Sequence, residues 1–278
     1  MAIAIRLSEI LYQMERMIMR DPKNLQPLVS VVMATFNCVE TVRRAVESVA
    51  RQTYPRTELV VIDGNSSDGT LAELQSLAAC IDKFVSEPDK GIYDAWNKGV
   101  KLASGDWICF IGADDVLNDD AIGEYINFIR DSGEEFIYVS SQVKLVNDAA
   151  VARIVGGAWH WSLFRKFMNV AHVGSFHHRK LFHEYGLFDD RFKICGDYEI
   201  LLRPRSQLAA GYFQKITVVM AAGGVSQSNS DLFSETYRAK ISSGGRNKLL
   251  ATWERCVAQL KWYMRVHVTK LFGLRGAR

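Results

Sequence analysis

The stretch ICFIGADDVLND, Ile108 to Asp119, runs an apolar segment straight into two adjacent carboxylates, Asp114 and Asp115, with no basic residue beside them. Neighbouring anions repel, and burying either without a partner costs several kcal/mol or moves its pKa. Two readings fit: a solvated turn, where Asp is common, or a site for a hard divalent cation, which takes carboxylate oxygens at strand ends. Similar polar groups follow other apolar runs: Thr35 and Asn37 after VSVVM, and Asp63 and Asp68 after ELVVI. Asp63, directly before Gly64, also reads as a turn-initiating Asx motif. His177 and His178 are adjacent, and neighbours on a strand face apart, so they make a poor chelating pair.

The elements that must position these residues alternate. QPLVSVVMATFN, TELVVID, DKFVSEPDKG and GDWICFIG are short β-branched or apolar runs bounded by turn residues, as buried strands are. Between them CVETVRRAVESVARQ, with Val39, Val42, Val46 and Val49 at helical spacing, LAELQSLAAC and IYDAWNKGVKLAS read as helices. This alternation predicts an α/β fold: a doubly wound, mostly parallel sheet with helices on both faces. Right-handed crossovers place the carboxyl ends of the strands on one edge, where open α/β sheets bind ligands. Thr35, Asn37, Asp63, Asp68 and the Asp114/Asp115 pair all fall on that edge, which favours the cation reading over chance turns.

Past Asp120 the pattern loosens. AIGEYINFIRDSG predicts a helix, EEFIYVSSQVKLV one or two strands, CGDYEILLR a helix, and YFQKITVVMAAGGVSQSN a strand closing in a Gly/Ser loop. There is no internal repeat and no low-complexity segment.

The 278 residues suffice for one large α/β domain or two small ones, and 48% hydrophobic with 23% charged residues excludes wholesale disorder. No apolar run reaches the ~18 residues of a membrane span, and the N-terminus lacks the apolar core and cleavage site of a signal peptide. Five scattered cysteines, with no CxxC, argue against zinc and a disulfide framework and for a reducing cytoplasm. Charge is uneven: from Arg238 onward there are ten basic residues against Glu254 alone, so the rest of the chain is net acidic although the whole is +3.

In this order, VSVVMATFN, QTYPRTELVVIDGNSSDGT, EPDKGIYDAWNKGVKLASGDWICFIGADD and GLFDDRFKICGDYEILLR resemble the family 2 glycosyltransferases, inverting enzymes of the GT-A fold. One such element is weak; four in family order at family spacing are specific. The resemblance spans roughly Pro27 to Gly224 and implies a GT-A domain over 27–225, with a nucleotide-binding half (27–120) and an acceptor-binding half (121–225). An N-terminal amphipathic helix (1–26) and a basic helical extension (226–278) would flank it.

The resemblance implies roles. Gly112-Ala113-Asp114-Asp115 stands at the family's DxD site, with Gly112 where Asn or Asp is frequent. Asp115 would bind Mg²⁺ or Mn²⁺, and Asp114 would share the metal or face the ribose. Ala34, Thr35, Asn37 and Asp63 would form the nucleotide pocket; a carboxylate there can accept the imide N–H of uracil, a donor that cytosine lacks. Many relatives have two acids where this chain has Asp63-Gly64. Asp89 would meet base or ribose and Lys90 the phosphates, although Lys90 reads equally as a solvated lysine, and Trp96 reads as core. Asp197 in CGDYEILLR would be the catalytic base, with Gly196 in place of a frequent Glu and Glu199 as a second candidate. His172 stands where relatives often have a site-facing His, and equally fits a hydrogen-bonded structural role. Trp159, with His160 and Trp161, fits a sugar-stacking wall or a packed core.

The implied function is metal-assisted inverting transfer of a hexosyl or N-acetylhexosaminyl group. It would run from a nucleotide sugar, UDP-linked, to a saccharide or lipid-linked hydroxyl in surface polysaccharide or glycolipid synthesis. A nucleotidyltransferase needs a Gly-rich basic loop after the first strand, which MATFNCVET lacks; a relative without turnover is the other alternative. The basic C-terminal helix fits either an anionic membrane surface on the cytoplasmic side or packing on the domain with its basic face solvated. The N-terminal helix could pair with it or form a homodimer. No nucleic-acid-binding module is recognisable.

Overall fold

The computed structural model describes residues 26–147, 150–221 and 231–271. The helix expected over 1–26, Gln26 apart, and the Gly/Ser loop after the last strand lie outside the described residues. Strand β1 (Val29–Thr35) is buried on both faces, as its β-branched run requires. It leads through α1 (Val42–Ala50) to β2 (Thr57–Asp63), then α2 (Thr70–Ser76), β3 (Lys83–Ser86), α3 (Ile92–Leu102) and β4 (Trp107–Gly112). These four strands are parallel in the order β3-β2-β1-β4. The winding therefore reverses between β1 and β4, and their carboxyl ends flank the crevice of a topological switch point.

Beyond β4 the sheet becomes mixed. β5 (Val116–Leu117) and α4 (Ala121–Ser132) precede β6 (Tyr138–Asn147), a single strand over EEFIYVSSQVKLV, and β7 (Ala150–Val155). After α5 (Trp161–Phe164) come β8 (Phe176–His178), α6 (Arg179–Tyr185), α7 (Gly196–Leu202) and β9 (Ala210–Ala221). β8 lies antiparallel between β4 and β6, while β9 runs parallel to β6 and antiparallel to β5.

Alternate residues of β1 feed two cores. Val31 and Met33 pack with Val42, Val46, Ile122 and Tyr125, and Val32 packs on the other face with Tyr93, Trp96, Phe110 and Tyr198. Gly99 permits the close approach of α3, since a Cβ there would lie 2.3 Å from Val32. Helix α8 (Asp231–Ser242) shares this second core through fully buried Ala239, and α9 (Lys248–Leu271) crosses it. Among the described residues no helix is long and apolar enough to cross a membrane.

Candidate active site

The ends of β1 and β2 are tied together by Asp63, which is fully buried. Its Oδ1 accepts from Thr35 Oγ1 at 3.0 Å and Ser66 Oγ at 2.5 Å, and its Oδ2 from Ser66 N at 3.0 Å and Ser86 Oγ at 2.7 Å. Burial pushes this carboxyl up, but those bonds outweigh it and hold the pKa below the ordinary range. They fill its four acceptor positions, so in this conformation Asp63 braces three strand ends. Ala34 is half-buried and pairs in register with Gly112.

Asn37, in the left-handed region at φ 47°, accepts Ser67 N–H at 2.9 Å, and Asp68 accepts Val39 N–H at 3.1 Å. These bonds stitch the loops after β1 and β2 together and leave Phe36 63% exposed at the rim. Phe36 escaped the sequence reading; its only signal was an aromatic in an otherwise polar strand end. A Cβ on Gly64 would lie 2.5 Å from Asp89 Oδ2 and 3.3 Å from the Phe36 ring, so glycine lets the two converge.

At the end of β4, Asp115 is 3% exposed. Its Oδ2 accepts Gly112 N–H at 2.7 Å, while its Oδ1 is buried with no partner among the described residues. Burial, then the charge of exposed Asp114, pushes its pKa up to about 7. A Cβ at Gly112 would lie 2.9 Å from both Asp114 Oδ1 and Asp115 Oδ2, so the carboxylates converge on space that only glycine leaves free. The nearest basic group comes from α1: Arg44 Nη2 reaches the Asp114 carbonyl at 3.4 Å. Among the described residues no three His, Cys, Asp or Glu side chains form a cation cluster. Two carboxylates, one with an unsatisfied buried oxygen, fit the hard cations that take one or two protein ligands and complete their shell with phosphate and water.

Asp197 lies in the first turn of α7. Its Oδ1 accepts Tyr198 N–H at 2.8 Å and the Tyr93 hydroxyl at 3.1 Å, a hydroxyl shared with the Ile194 carbonyl at 2.7 Å. Burial pushes Asp197 up to about 6, with hydrogen bonds from the Tyr198 N–H, the Tyr93 hydroxyl and its own backbone N–H opposing and Glu235 adding to the rise. A Cβ at Gly196 would meet the Tyr93 ring at 2.8 Å, so glycine there leaves room for the aromatic ring. Glu235 of α8 accepts N–H of Lys193 and Ile194 at 2.8 Å and of Cys195 at 2.9 Å, fixing the turn before Asp197. No local pattern of residues points to Glu235.

The remaining candidates disperse. Glu199 is buried in an ion pair with Arg203 at 2.5 Å. Asp89 Oδ1 accepts Gly91 N–H at 2.8 Å, and exposed Lys90 lies 3.6 Å from Asp190. His172 is buried between Trp96 and Phe110, with ring centroids 5.2 and 5.9 Å away and neither nitrogen partnered among the described residues. Burial pushes it down to about 3, so it is neutral. Trp96 is core, as expected. Trp159 is half-buried and packs on Trp161 and Phe164. His177 is buried, whereas His178 caps α6 by accepting Lys180 N–H at 3.2 Å; the two face apart.

The family model described as "Glycosyl transferase family 2" matches residues 30–175. The chain is 30% identical over 182 residues to the PGL/p-HBAD biosynthesis glycosyltransferase of Mycobacterium tuberculosis, covering 64% of this chain and 69% of that one. Its fold is similar to Staphylococcus aureus TarS 1-349 in complex with UDP-GlcNAc (TM-score 0.64, 16% identity, 86% of this chain and 73% of that one). It is also similar to the mannosyltransferase PcManGT of Pyrobaculum calidifontis, in complex with GDP-Man and Mn²⁺ (TM-score 0.57, 16% identity, 98% and 92%). With the doubly wound sheet and the acidic carboxyl edge, these matches establish that the chain belongs to glycosyl transferase family 2.

Proposed function

We propose that this glycosyltransferase moves a hexosyl or N-acetylhexosaminyl group from a UDP-sugar to a hydroxyl of a saccharide or lipid-linked acceptor, with inversion. The observation that carries it is the unpartnered, buried Oδ1 of Asp115 beside Asp114, a donor set that a cation bridging to a diphosphate completes. The UDP assignment draws on the TarS complex, and the acceptor class on the PGL/p-HBAD relative. All five cysteines are free, which accords with a reducing, cytoplasmic setting.

The base of the nucleotide stacks on exposed Phe36, and Asp89 with Asp114 faces the ribose. Asp63 holds Thr35 and the 64–66 turn as the pocket floor. Asp115 and Asp114 would hold Mn²⁺ or Mg²⁺, which when bound neutralises charge on the departing diphosphate. Asp197, anchored through Oδ1, takes the proton of the acceptor hydroxyl. That oxygen attacks the anomeric carbon from the face opposite the nucleotide, the new glycosidic C–O bond forms, and the bond to the β-phosphate breaks. UDP leaves with the electron pair.

Calorimetry with UDP, GDP and CDP, with Mn²⁺ and after chelation, tests this reading. UDP should bind with Mn²⁺ and lose most of its affinity on chelation. Binding of UDP unchanged by chelation, or preference for another nucleotide, overturns it. Donor hydrolysis by the pure protein separates an enzyme from a binding relative.

A further inference from the structure

We infer that Lys193 is a positioning residue: it ties the turn that presents Asp197 to the turn at residues 89–91, so that a nucleotide held by the second orders the first. Its Nζ donates to the Lys90 carbonyl, and to the Asp190 carbonyl at 3.3 Å. Lys90 answers in the other direction, with its Nζ 3.6 Å from Asp190 Oδ2. Gly91 lies beneath the crossing. At φ 124° it occupies a region that favours glycine, and a Cβ there would touch Lys193 Cδ and Nζ at 3.7 Å.

The contacts run without a break from the donor side to Asp197. At the donor end, Asp89 converges with Phe36 over Gly64, and its Oδ1 accepts Gly91 N–H at 2.8 Å. At the other end, the N–H groups of Lys193, Ile194 and Cys195 are held by Glu235, and Asp197 follows two residues later. Two neighbouring ties start from α3 instead. The buried Tyr93 donates its hydroxyl to the Ile194 carbonyl at 2.7 Å, and Asn97 exchanges two bonds of 2.9 Å with Phe188. The Lys193 tie differs in ending on the donor turn itself. Lys90 and Lys193 are exposed, and an exposed tie is worth little by itself, so water competes for it in the free protein. A ligand shifts such an equilibrium only through different affinities for its two states. Here a ribose hydroxyl held by Asp89 fixes the turn whose carbonyl Lys193 must find. This coupling rests on the donor role of Asp89 and the base role of Asp197 proposed above.

The test is amide hydrogen exchange on the full chain with and without UDP and Mn²⁺, read on peptides covering residues 86–92 and 189–196. UDP should slow exchange in both stretches, in the second by at least about fivefold. In Lys193→Met the slowing should persist over 86–92 and vanish over 189–196, while the melting temperature stays that of the parent. Lys193→Arg, which keeps N–H donors for the two carbonyls, should restore it. Slowing over 189–196 that survives in Lys193→Met overturns the proposal, as does an arginine variant that behaves like the methionine one. So does UDP that binds by calorimetry yet protects residues 86–92 alone. A chain that binds no UDP by calorimetry fails the donor reading itself and takes the coupling down with it, an outcome distinct from bound UDP without coupling. A large fall in melting temperature of Lys193→Met also overturns it, because Lys193 then holds the fold and not the register of two turns.

Discussion

The hydroxyl of Tyr93 lies 3.1 Å from Oδ1 of Asp197, and the contact exists because residue 196 is glycine. The ring of Tyr93 fills the space where a side chain at 196 would stand. Tyr93 thereby becomes a positioning residue for the base, and it favours the ionised carboxylate against a burial that pushes Asp197 up to about 6. The charge of Asp197 in turn raises Cys195 and Tyr138.

Tyr93→Phe should therefore move the acidic limb of the rate profile. The proposed mechanism needs ionised Asp197, so kcat/KM should rise with pH through about 6. Removing the hydroxyl should shift that limb upward by roughly half to one unit. Asp197→Asn should lower kcat by about 10²–10⁴-fold while donor affinity stays within about twofold. An unmoved acidic limb in Tyr93→Phe removes Tyr93 from this role.

Asp197 should also cost stability. Its folded pKa is raised, so the folded chain holds a proton that the unfolded chain releases first, and stability falls as pH rises from about 4 to 6. Asp197→Asn removes that penalty. The variant should exceed the parent by roughly 1–2 kcal/mol at pH 7, and the gap should close below pH ~4. Urea unfolding at the two pH values measures it.

Gly112→Ala tests the cation cradle without deleting a ligand. Its methyl would meet both carboxylates at 2.9 Å, so Mn²⁺-dependent UDP affinity should fall by about tenfold or more. Asp115→Asn should abolish the metal dependence yet raise the melting temperature of the metal-free protein, because it removes a buried carboxylate charge whose Oδ1 has no partner among the described residues. Calorimetry and thermal unfolding read the two effects separately.

Phe36→Ala should leave stability nearly unchanged, since the ring is already mostly exposed. UDP affinity should fall by about 1–3 kcal/mol, the range for base–aromatic stacking, and Phe36→Trp should restore it. Calorimetry that finds the alanine variant binding UDP like the parent ends the stacking assignment.

The parallel half of the fold was readable because each strand there is a short β-branched run and each crossover a helix with a clear apolar stripe. The carboxyl edge followed from that alternation, so Thr35, Asp63, Asp114 and Asp115 were found together. What stayed hidden depends on contacts distant in sequence. Saturation of Asp63 by Ser66 and Ser86, the bracing of residues 193–195 by Glu235, and the burial of His172 between Trp96 and Phe110 leave no periodic trace. β8 and β7 were illegible for another reason: three- and six-residue strands are too short for a period of two to declare itself.

The bracing by Glu235 sets an order of events during synthesis. The four parallel strands, all before residue 113, can settle while the ribosome is still extending the chain. The turn that presents Asp197 must wait until α8 has emerged to supply its carboxylate. A nascent chain therefore lacks a fixed Asp197 turn until α8 is made.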